Sequence, residues 1–161
     1  MRYDTIIVGG GTAGCILAAR LSEDPHRSVL LLEAGPDFPD PEQLPDMLKY
    51  GWGAINLEAR QAGAPYNWSL EGMANAHQPH PMPVPRGKVT GGTSAINGQT
   101  FIRGAPEDFA TWAAWGNTEW SYERVLPYFK KLENDADFRD AFHGTDGPIP
   151  VRRFPRESWP P

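Results

Sequence analysis

The chain has 161 residues, enough for about one domain, and 40% of them are hydrophobic, which is sufficient for a core. Its formal net charge of −5 gives no basic field that would favour nucleic acid or anionic lipid as a partner. The single cysteine, Cys15, excludes an internal disulfide and a cysteine-based zinc site. No apolar run approaches the roughly eighteen residues that a membrane span needs, and the N-terminus enters a strand pattern directly, without a signal peptide. A soluble, cytoplasmic protein is expected.

The first predicted element is a short buried strand that leads into a glycine motif. The β-branched run TIIV at residues 5–8 indicates a strand covered on both faces. Apolar residues at helical intervals follow, to about position 22, after three glycines with the G-x-G-x-x-G spacing: Gly9, Gly11 and Gly14. A second apolar strand, SVLLLEAG, contains Glu33, nineteen residues after Gly14.

A dinucleotide-binding unit is predicted by the order of these features, namely a strand, the glycine motif, a helix, a second strand and an acidic residue at its end. The first glycine permits the tight turn, the second lets backbone N–H groups approach a pyrophosphate, and the third lets helix and strand pack closely. The helix N-terminus then faces the phosphates, and Glu33 accepts hydrogen bonds from the adenosine ribose hydroxyls. Cys15 has no C-x-x-C partner and is interpreted as a small buried residue. The residues predicted to bind the nucleotide are Gly9, Gly11, Thr12, Ala13, Gly14, Glu33 and Ala34.

Residues 37–84 form a less regular region that is rich in proline, aspartate and glycine, with a weak helical pattern at 44–50. His77 and His80 stand in the run HQPHPMPVP, which its prolines prevent from being a helix. Because no further ligand cluster is near, we interpret residues 74–87 as an extended loop and not as a metal site.

The stretch PRGKVTGGTSAINGQTFIRG, residues 85–104, combines five glycines with interleaved apolar side chains. A flexible linker would not carry Val89, Ile96, Phe101 and Ile102, and an ordinary strand would not tolerate the pair at 91–92. The pattern therefore predicts a buried segment that wraps around another group. The alternative is a glycine-rich crossover between structural elements. In that case Arg86 and Lys88 at its start are simply surface cations.

Two helices and a strand are predicted in the last third of the chain. APEDFATWAAWG fits a short helix, because Pro106 suits the first turn and the two acids after it complement the helix dipole. SYERVLPYFKKLEND contains a proline that starts or kinks a helix at Pro127. The charged run Lys130–Asp140 is interpreted as a solvated face, and HGTDGPIPV as a turn followed by a short strand.

Five stretches together resemble one family: YDTIIVGGGTAGCILAARLSED, VLLLEAG, the segment 85–104, WSYERVLPYFKKLEND and HGTDGPIPV. In this order they are similar to the N-terminal part of the glucose–methanol–choline (GMC) family of FAD-dependent alcohol oxidoreductases, closest to its bacterial hydroxymethylfurfural oxidase and pyridoxine oxidase types. Thr90 and Thr93 depart from the family, which commonly has leucine or methionine and serine there, and residues 71–84 match little of it. The resemblance implies an α/β fold with a Rossmann-like FAD-binding βαβ unit, incomplete in this chain.

The resemblance also implies what residues 85–104 surround, namely the pyrophosphate and then the isoalloxazine ring of FAD. Gly91 and Gly92 would let backbone amides approach the phosphates, and Thr93 would add a hydroxyl and cap a short helix. Some family members bond the flavin covalently through a histidine where this chain has Ile96, so non-covalent FAD is expected. The residues implied to bind the cofactor here are Arg86, Gly91, Gly92, Thr93, Asn97, Gly98, Gln99 and Thr100.

The chemistry implied by the resemblance is oxidation of a primary alcohol to an aldehyde, with hydride transfer to flavin N5 and reoxidation by O2 or another electron acceptor. The family's catalytic histidine lies much later in a longer chain, so none of the four histidines here is assigned to catalysis. The implied division is a nucleotide unit at 1–36, a loop region at 37–84, a flavin segment at 85–104 and a helical part at 105–161. A second polypeptide is expected to carry the remainder, because Ser158 signals the start of a helix that does not follow.

Two other functions remain open at this point. A non-catalytic dinucleotide-binding module would use the same βαβ unit, and would be distinguished by a complete sheet. An NAD-dependent dehydrogenase is the other, and residues 85–104 argue against it because a nicotinamide site needs no second glycine-rich segment.

Overall fold

The protein is described by a computed structural model that covers residues 2–51 and 53–155. Backbone contacts divide the chain into two compact units, Met1–Thr100 and Phe101–Pro161. The helix start expected at Ser158 lies outside the described residues.

A parallel strand–helix–strand unit opens the first compact unit. Strand β1 (Thr5–Val8) pairs in parallel with β2 (Val29–Leu32), and helix α1 (Thr12–Leu21) connects them. Thr5 stands opposite Val29 and Val8 opposite Leu32, so the two strands end at the same edge. The predicted βαβ unit is confirmed, with Glu33 directly after β2.

Short elements fill the region between this unit and the glycine-rich segment. They are a 3₁₀ turn at Pro41–Gln43, helix α2 (Asp46–Lys49), helix α3 (Ala54–Ala59), and strands β3 (Leu70–Gly72) and β4 (Met82–Val84), which pair antiparallel. The expectation of an extended loop through 74–87 is therefore wrong for its last part. Pro83 is tolerated in β4 because this sheet has two strands in the described part of the chain, so each strand has an unpaired edge there.

The core of the first unit lies where the glycine-rich segment meets α2 and α3. Val89 and Ile96 from that segment are buried together with Leu48 and Ala59. Ile96 belongs to helix α4 (Thr93–Ile96) and is completely buried. The predicted burial of Val89 and Ile96 is thus confirmed. The predicted burial of Ile102 is wrong, since this residue is 81% exposed.

The βαβ unit leaves much of its apolar surface uncovered, so the expectation that the strand at 5–8 is covered on both faces is wrong for the described residues. Val8 is 83% exposed, and four further apolar side chains of the unit are about half exposed: Ile6, Ile16, Leu17 and Leu32. Burial of apolar surface is the main favourable term in folding. These side chains therefore form an exposed apolar patch on the described residues, of the kind that marks a binding surface.

Two helices and a small parallel sheet form the second unit. Its elements are α5 (Pro106–Ala114), a 3₁₀ turn at Thr118–Trp120, α6 (Tyr122–Leu132), and the paired strands β5 (Glu133–Asp135) and β6 (Ile149–Val151). The helix predicted from Pro106 is confirmed, with Pro106 at its first position. Pro127 does not start a helix but lies inside α6. None of the helices in the described part of the chain is long and apolar enough to cross a bilayer.

The charged run after α6 is not a uniformly solvated face, because β5 buries two carboxylates. Asp135 is fully buried and accepts hydrogen bonds from Arg153 Nη1 at 2.8 and 2.9 Å and from two backbone amides. Glu133 is 1% exposed and accepts from Arg103 and from Gly144 N. The Arg153 guanidinium holds the pKa of Asp135 well below its usual range. Both carboxylates of β5 are thus buried with an arginine partner from another part of the second unit.

Candidate functional site

The loop between β1 and α1 has the glycine geometry that the motif predicts. Gly9 adopts a φ of +99°, which favours glycine, and its N–H donates to Leu32 O at 2.7 Å. A Cβ on Gly14 would lie 1.9 Å from Gly9 O, so only glycine lets α1 pack this closely on the turn. The tight turn and the close packing are therefore present as predicted.

The segment 85–104 packs directly against this loop. Gly91 forms a parallel bridge with Gly11, and Gly91 N donates to Gly10 O at 2.7 Å. A Cβ on Gly92 would lie 2.7 Å from the Cα of Gly11, and Gly92 has a φ of +58°. Two glycine-rich segments thus meet backbone to backbone, which side chains at these positions would prevent.

The backbone N–H groups of Gly91 and Gly92 both donate hydrogen bonds to carbonyl oxygens of this chain. Gly91 N donates to Gly10 O, and Gly92 N donates to Val89 O at 2.7 Å. Neither N–H is therefore without an acceptor in the described residues, and the contact of Gly91 and Gly92 with the phosphates stays a prediction. The N–H groups that have no partner within the helix belong to the first turn of α1, at Thr12, Ala13 and Gly14.

Glu33 connects the end of β2 to the glycine loop. Its Oε2 accepts from Gly10 N at 2.7 Å, and its Oε1 accepts from Gly35 N at 2.9 Å. A carboxylate offers about four acceptor positions, so each oxygen keeps capacity for a further donor such as a hydroxyl. The half-buried Glu33 carboxylate therefore accepts two backbone hydrogen bonds and can still accept further ones from a ligand.

A cavity of about 610 Å³ opens beside this carboxylate. Seven residues predicted to bind a nucleotide or FAD line it: Gly9, Gly11, Glu33, Ala34, Arg86, Gly92 and Thr93. The structure thus brings together residues from both glycine-rich segments. Trp68 also lines the cavity, although no sequence motif predicts a ligand contact at its position.

Asn67 holds Arg86 and Trp68 at the rim of this cavity. Its Oδ1 accepts from Arg86 N at 3.1 Å, while its Nδ2 donates to two carbonyls at the end of α3. Trp68 N donates to Arg86 O at 2.9 Å, and Lys88 Nζ lies 5.0 Å from the centre of the Trp68 ring. The Arg86 guanidinium donates to Pro85 O and, among the described residues, pairs with no carboxylate. Its charge is available to an anion.

Thr93 has a different role from the expected helix cap. The N-cap of α4 is Gly92, and Thr93 is its first helical residue. Thr93 Oγ1 accepts from Gly87 N at 3.2 Å, and a Cβ on Gly87 would lie 2.0 Å from Gly92 O. The hydroxyl therefore fixes the return of the chain beside the cavity.

Residues 97–100 lie outside the cavity lining, at the other end of α4. A helix of four residues advances roughly 6 Å, so the two groups of predicted residues are separated by one short helix. Asn97 Oδ1 accepts from Gln99 N at 2.7 Å, and Gln99 Nε2 donates to Leu48 O at 2.9 Å. The loop is thereby tied to α2 on one side.

Comparison with known proteins identifies this arrangement. A family model described as GMC oxidoreductase matches residues 3–160. The chain belongs to the GMC oxidoreductase family. Its fold is that of the FAD-binding N-terminal part of GMC oxidoreductases.

Relatives within the GMC family are similar over nearly all of this chain. Glucose dehydrogenase [FAD, quinone] of Drosophila melanogaster is 43% identical over 95% of this chain and 24% of its own length. The oxygen-dependent choline dehydrogenase of Sinorhizobium fredii is 42% identical over 96% of this chain and 27% of its own. The solved pyridoxine 4-oxidase from Mesorbium loti superposes with a TM-score of 0.74 at 36% identity, over 99% of this chain and 30% of its own. The chain thus spans 24% to 30% of the length of these GMC proteins.

Proposed function

We propose that this chain is the FAD-binding part of a flavoprotein that oxidises a primary alcohol to an aldehyde. The observation that carries the proposal is the cavity to which both glycine-rich segments, Glu33 and Arg86 contribute. The names of the relatives support the substrate class, because choline, glucose and pyridoxine all carry hydroxyl groups.

The cavity residues fit the adenosine diphosphate part of FAD. The first-turn amides of α1 lack acceptors within the helix and follow Gly11 of the cavity lining, so they are donors suited to a pyrophosphate, whose charge the positive end of the helix dipole favours. Arg86 adds a cation without a carboxylate partner in the described chain. The free acceptor positions of Glu33 suit the two ribose hydroxyls. Contact with Gly11 and Gly92 is then made through backbone without a Cβ in the way.

Non-covalent attachment follows from the side chain at position 96. Ile96 has no nucleophilic atom, and it is completely buried in the core with Leu48, Ala59 and Val89. It cannot turn towards the ligand without opening that core. We infer that FAD is held by contacts alone.

Bound FAD would supply the hydride acceptor for alcohol oxidation. The residues of this chain bind and orient the cofactor, and we propose that residues beyond these 161 supply the proton acceptor. Three of the four histidines, His26, His77 and His80, lie on exposed loops, and His143 is paired with Asp140 at 2.8 Å. None lines the nucleotide cavity.

A second polypeptide that carries the remaining part of the enzyme is our proposed partner, besides a small alcohol and O2 or another electron acceptor. Exposed apolar side chains of the βαβ unit outside the cavity support it, since Ile6, Ile16 and Leu17 need a protein surface to cover them. No nucleic-acid partner is proposed, given the net charge of −5.

The test is the visible absorption spectrum of the purified assembled protein, followed by acid precipitation. We expect a flavin spectrum with one FAD for each copy of this chain, and free, intact FAD in the supernatant. Flavin that stays with the precipitate would contradict non-covalent binding. A colourless protein that cannot be reconstituted with FAD would overturn the proposed function, whereas bound FAD without alcohol oxidation would favour the non-catalytic module.

A further inference from the structure

Asn56 is a buried polar residue whose contact lies in the flavin half of the proposed site. It belongs to α3 and is completely buried. Its Nδ2 donates to the carbonyl oxygen of Asn97 at 3.0 Å, across 41 residues of chain. This hydrogen bond joins the core helix α3 to the point where α4 ends.

The other end of the same carboxamide has no partner. Asn56 Oδ1 is buried and accepts no hydrogen bond from any residue that the structure describes. A buried unsatisfied acceptor costs about 1–3 kcal/mol, whereas leucine would fill a similar volume without that penalty. The stability of the core therefore does not explain an asparagine here, and its donor to Asn97 is the contact that needs it.

Loop 97–100 contains a residue in an uncommon backbone conformation and is tied to a neighbouring helix. Gln99 adopts a φ of +49°, which side-chain-bearing residues rarely adopt. Its Nε2 donates to Leu48 O, and Gln99 packs so closely on the chain after α2 that a Cβ on Gly51 would lie 2.4 Å from Gln99 Cβ. Two side-chain hydrogen bonds thus hold the loop: Asn56 of α3 donates to the Asn97 carbonyl, and Gln99 of the loop donates to the Leu48 carbonyl of α2.

The held loop presents several free donors. Neither Gly98 N nor Thr100 N donates to a protein acceptor within the described ranges, and both residues are exposed. The Nδ2 group of Asn97 is likewise without a partner there. Exposed donors on a fixed loop suit an acceptor-rich ring edge, such as the N5 and C4=O side of a flavin.

We propose that Asn56 is a positioning residue for the isoalloxazine ring: by holding the Asn97 carbonyl, it sets where the free donors of loop 97–100 point. The inference rests on the proposed function, because it requires FAD in the adjoining cavity. Asn56 does not touch the ligand and acts through the loop alone.

The test compares Asn56→Leu and Asn56→Asp with the parent in the assembled holoenzyme. Leucine removes the donor, and aspartate keeps the shape but offers oxygens to the Asn97 carbonyl. Loss of one hydrogen bond predicts a roughly 2- to 10-fold weaker FAD affinity. Because the ring contacts change, we also expect an altered shape of the visible flavin bands and a lower flavin reduction potential, which a loss of stability alone would not cause.

Two further variants act as control and as a second route to the same result. Leu57→Ala removes an exposed side chain from the same helix and should leave the spectrum and potential unchanged. Asn56→Ser keeps a small polar side chain that is too short to reach the Asn97 carbonyl, so it should change the same two properties if the other Asn56 variants do not fold. Parent-like spectra and potentials in every folded variant would overturn the inference while FAD binding stands. A parent that binds no FAD would overturn the proposed function and the inference with it.

Discussion

Gly92 lies against Gly11 so closely that a Cβ built on Gly92 would come within 2.7 Å of the Cα of Gly11. Residues from the two ends of the first unit's sequence thus form one continuous glycine surface beside the cavity that Glu33 lines. The contact explains why the second segment needs glycine at a position with a φ of +58°.

Gly92→Ala should weaken FAD binding because the new Cβ must push the two segments apart. Overpacking of this kind costs about 1–3 kcal/mol, so we expect a roughly 10-fold loss of affinity. Gly63→Ala is the matched control, because Gly63 also has a positive φ, of +82°, but nothing lies within 4 Å of its Cβ position. Equilibrium titration with FAD distinguishes the two variants, and equal losses of affinity would show that the contact does not matter to the ligand.

Glu33→Ala should weaken FAD retention by roughly 2–4 kcal/mol, the value of one or two charge-assisted hydrogen bonds. Part of the loss arises from the protein itself, because Gly10 N and Gly35 N lose their acceptor. Glu33→Gln separates the contributions, since it keeps an oxygen for one amide but removes the charge. Glu58→Ala, an exposed acid on α3, is the control. Unchanged occupancy at limiting FAD would show that another group holds the ribose.

The buried carboxylate Asp135 predicts a pH-dependent stability of the second unit. Its pKa in the folded protein is lowered, chiefly by the hydrogen bond from Arg153, so its contribution is present above the unfolded pKa of about 3.9 and is lost as the pH falls towards the folded pKa. Asp135→Asn should cost roughly 1.5–3 kcal/mol at neutral pH. The difference from the parent should shrink below about pH 4.

Denaturant unfolding of the assembled protein, followed by tryptophan fluorescence, measures this difference at several pH values. Asp146→Asn is the control, because Asp146 forms no ion pair within the described residues. A destabilisation by Asp135→Asn that stays constant into strong acid would contradict the ionic role of Asp135.

The exposed apolar surface of the βαβ unit predicts that residues 1–161 alone unfold without a cooperative transition. A few hundred Å² of exposed apolar surface cost several kcal/mol at about 25 cal/mol per Å², which is comparable with the stability of a whole domain. Co-expression with the remainder of the enzyme should restore FAD binding and alcohol oxidation. A cooperative thermal transition of these residues alone, with stoichiometric FAD, would contradict the prediction and favour a self-sufficient binding module.

The features that could be predicted from the sequence are those encoded in neighbouring residues. The strand at 5–8, the glycine motif and the position of Glu33 are local patterns, and the structure has them where they were expected. Contacts between distant residues were not predictable in this way. The burial of Asp135 depends on Arg153, 18 residues away, so the sequence around β5 looks like a solvated charged run.

The candidate site shows the same division. The glycine pairs were identified from their spacing and from the family resemblance, but the use of their amides by Gly10 O and Val89 O required the folded backbone. Asn56 carries no sequence signal at all, because its partner is 41 residues further along the chain. Trp68 likewise lies beside the cavity in a segment that pairs with residues 86–88, about 20 residues further along the chain.

The central claim is that the cavity beside Glu33 holds the adenosine diphosphate part of FAD, and a crystal structure of the assembled protein with FAD bound tests it most directly. We expect pyrophosphate oxygens within hydrogen-bonding distance of the N–H groups of Thr12, Ala13 or Gly14, and ribose hydroxyls on the Glu33 carboxylate. Gly11 and Gly92 should line the ligand through backbone atoms. FAD bound elsewhere, with this cavity filled by protein or solvent, would contradict the account.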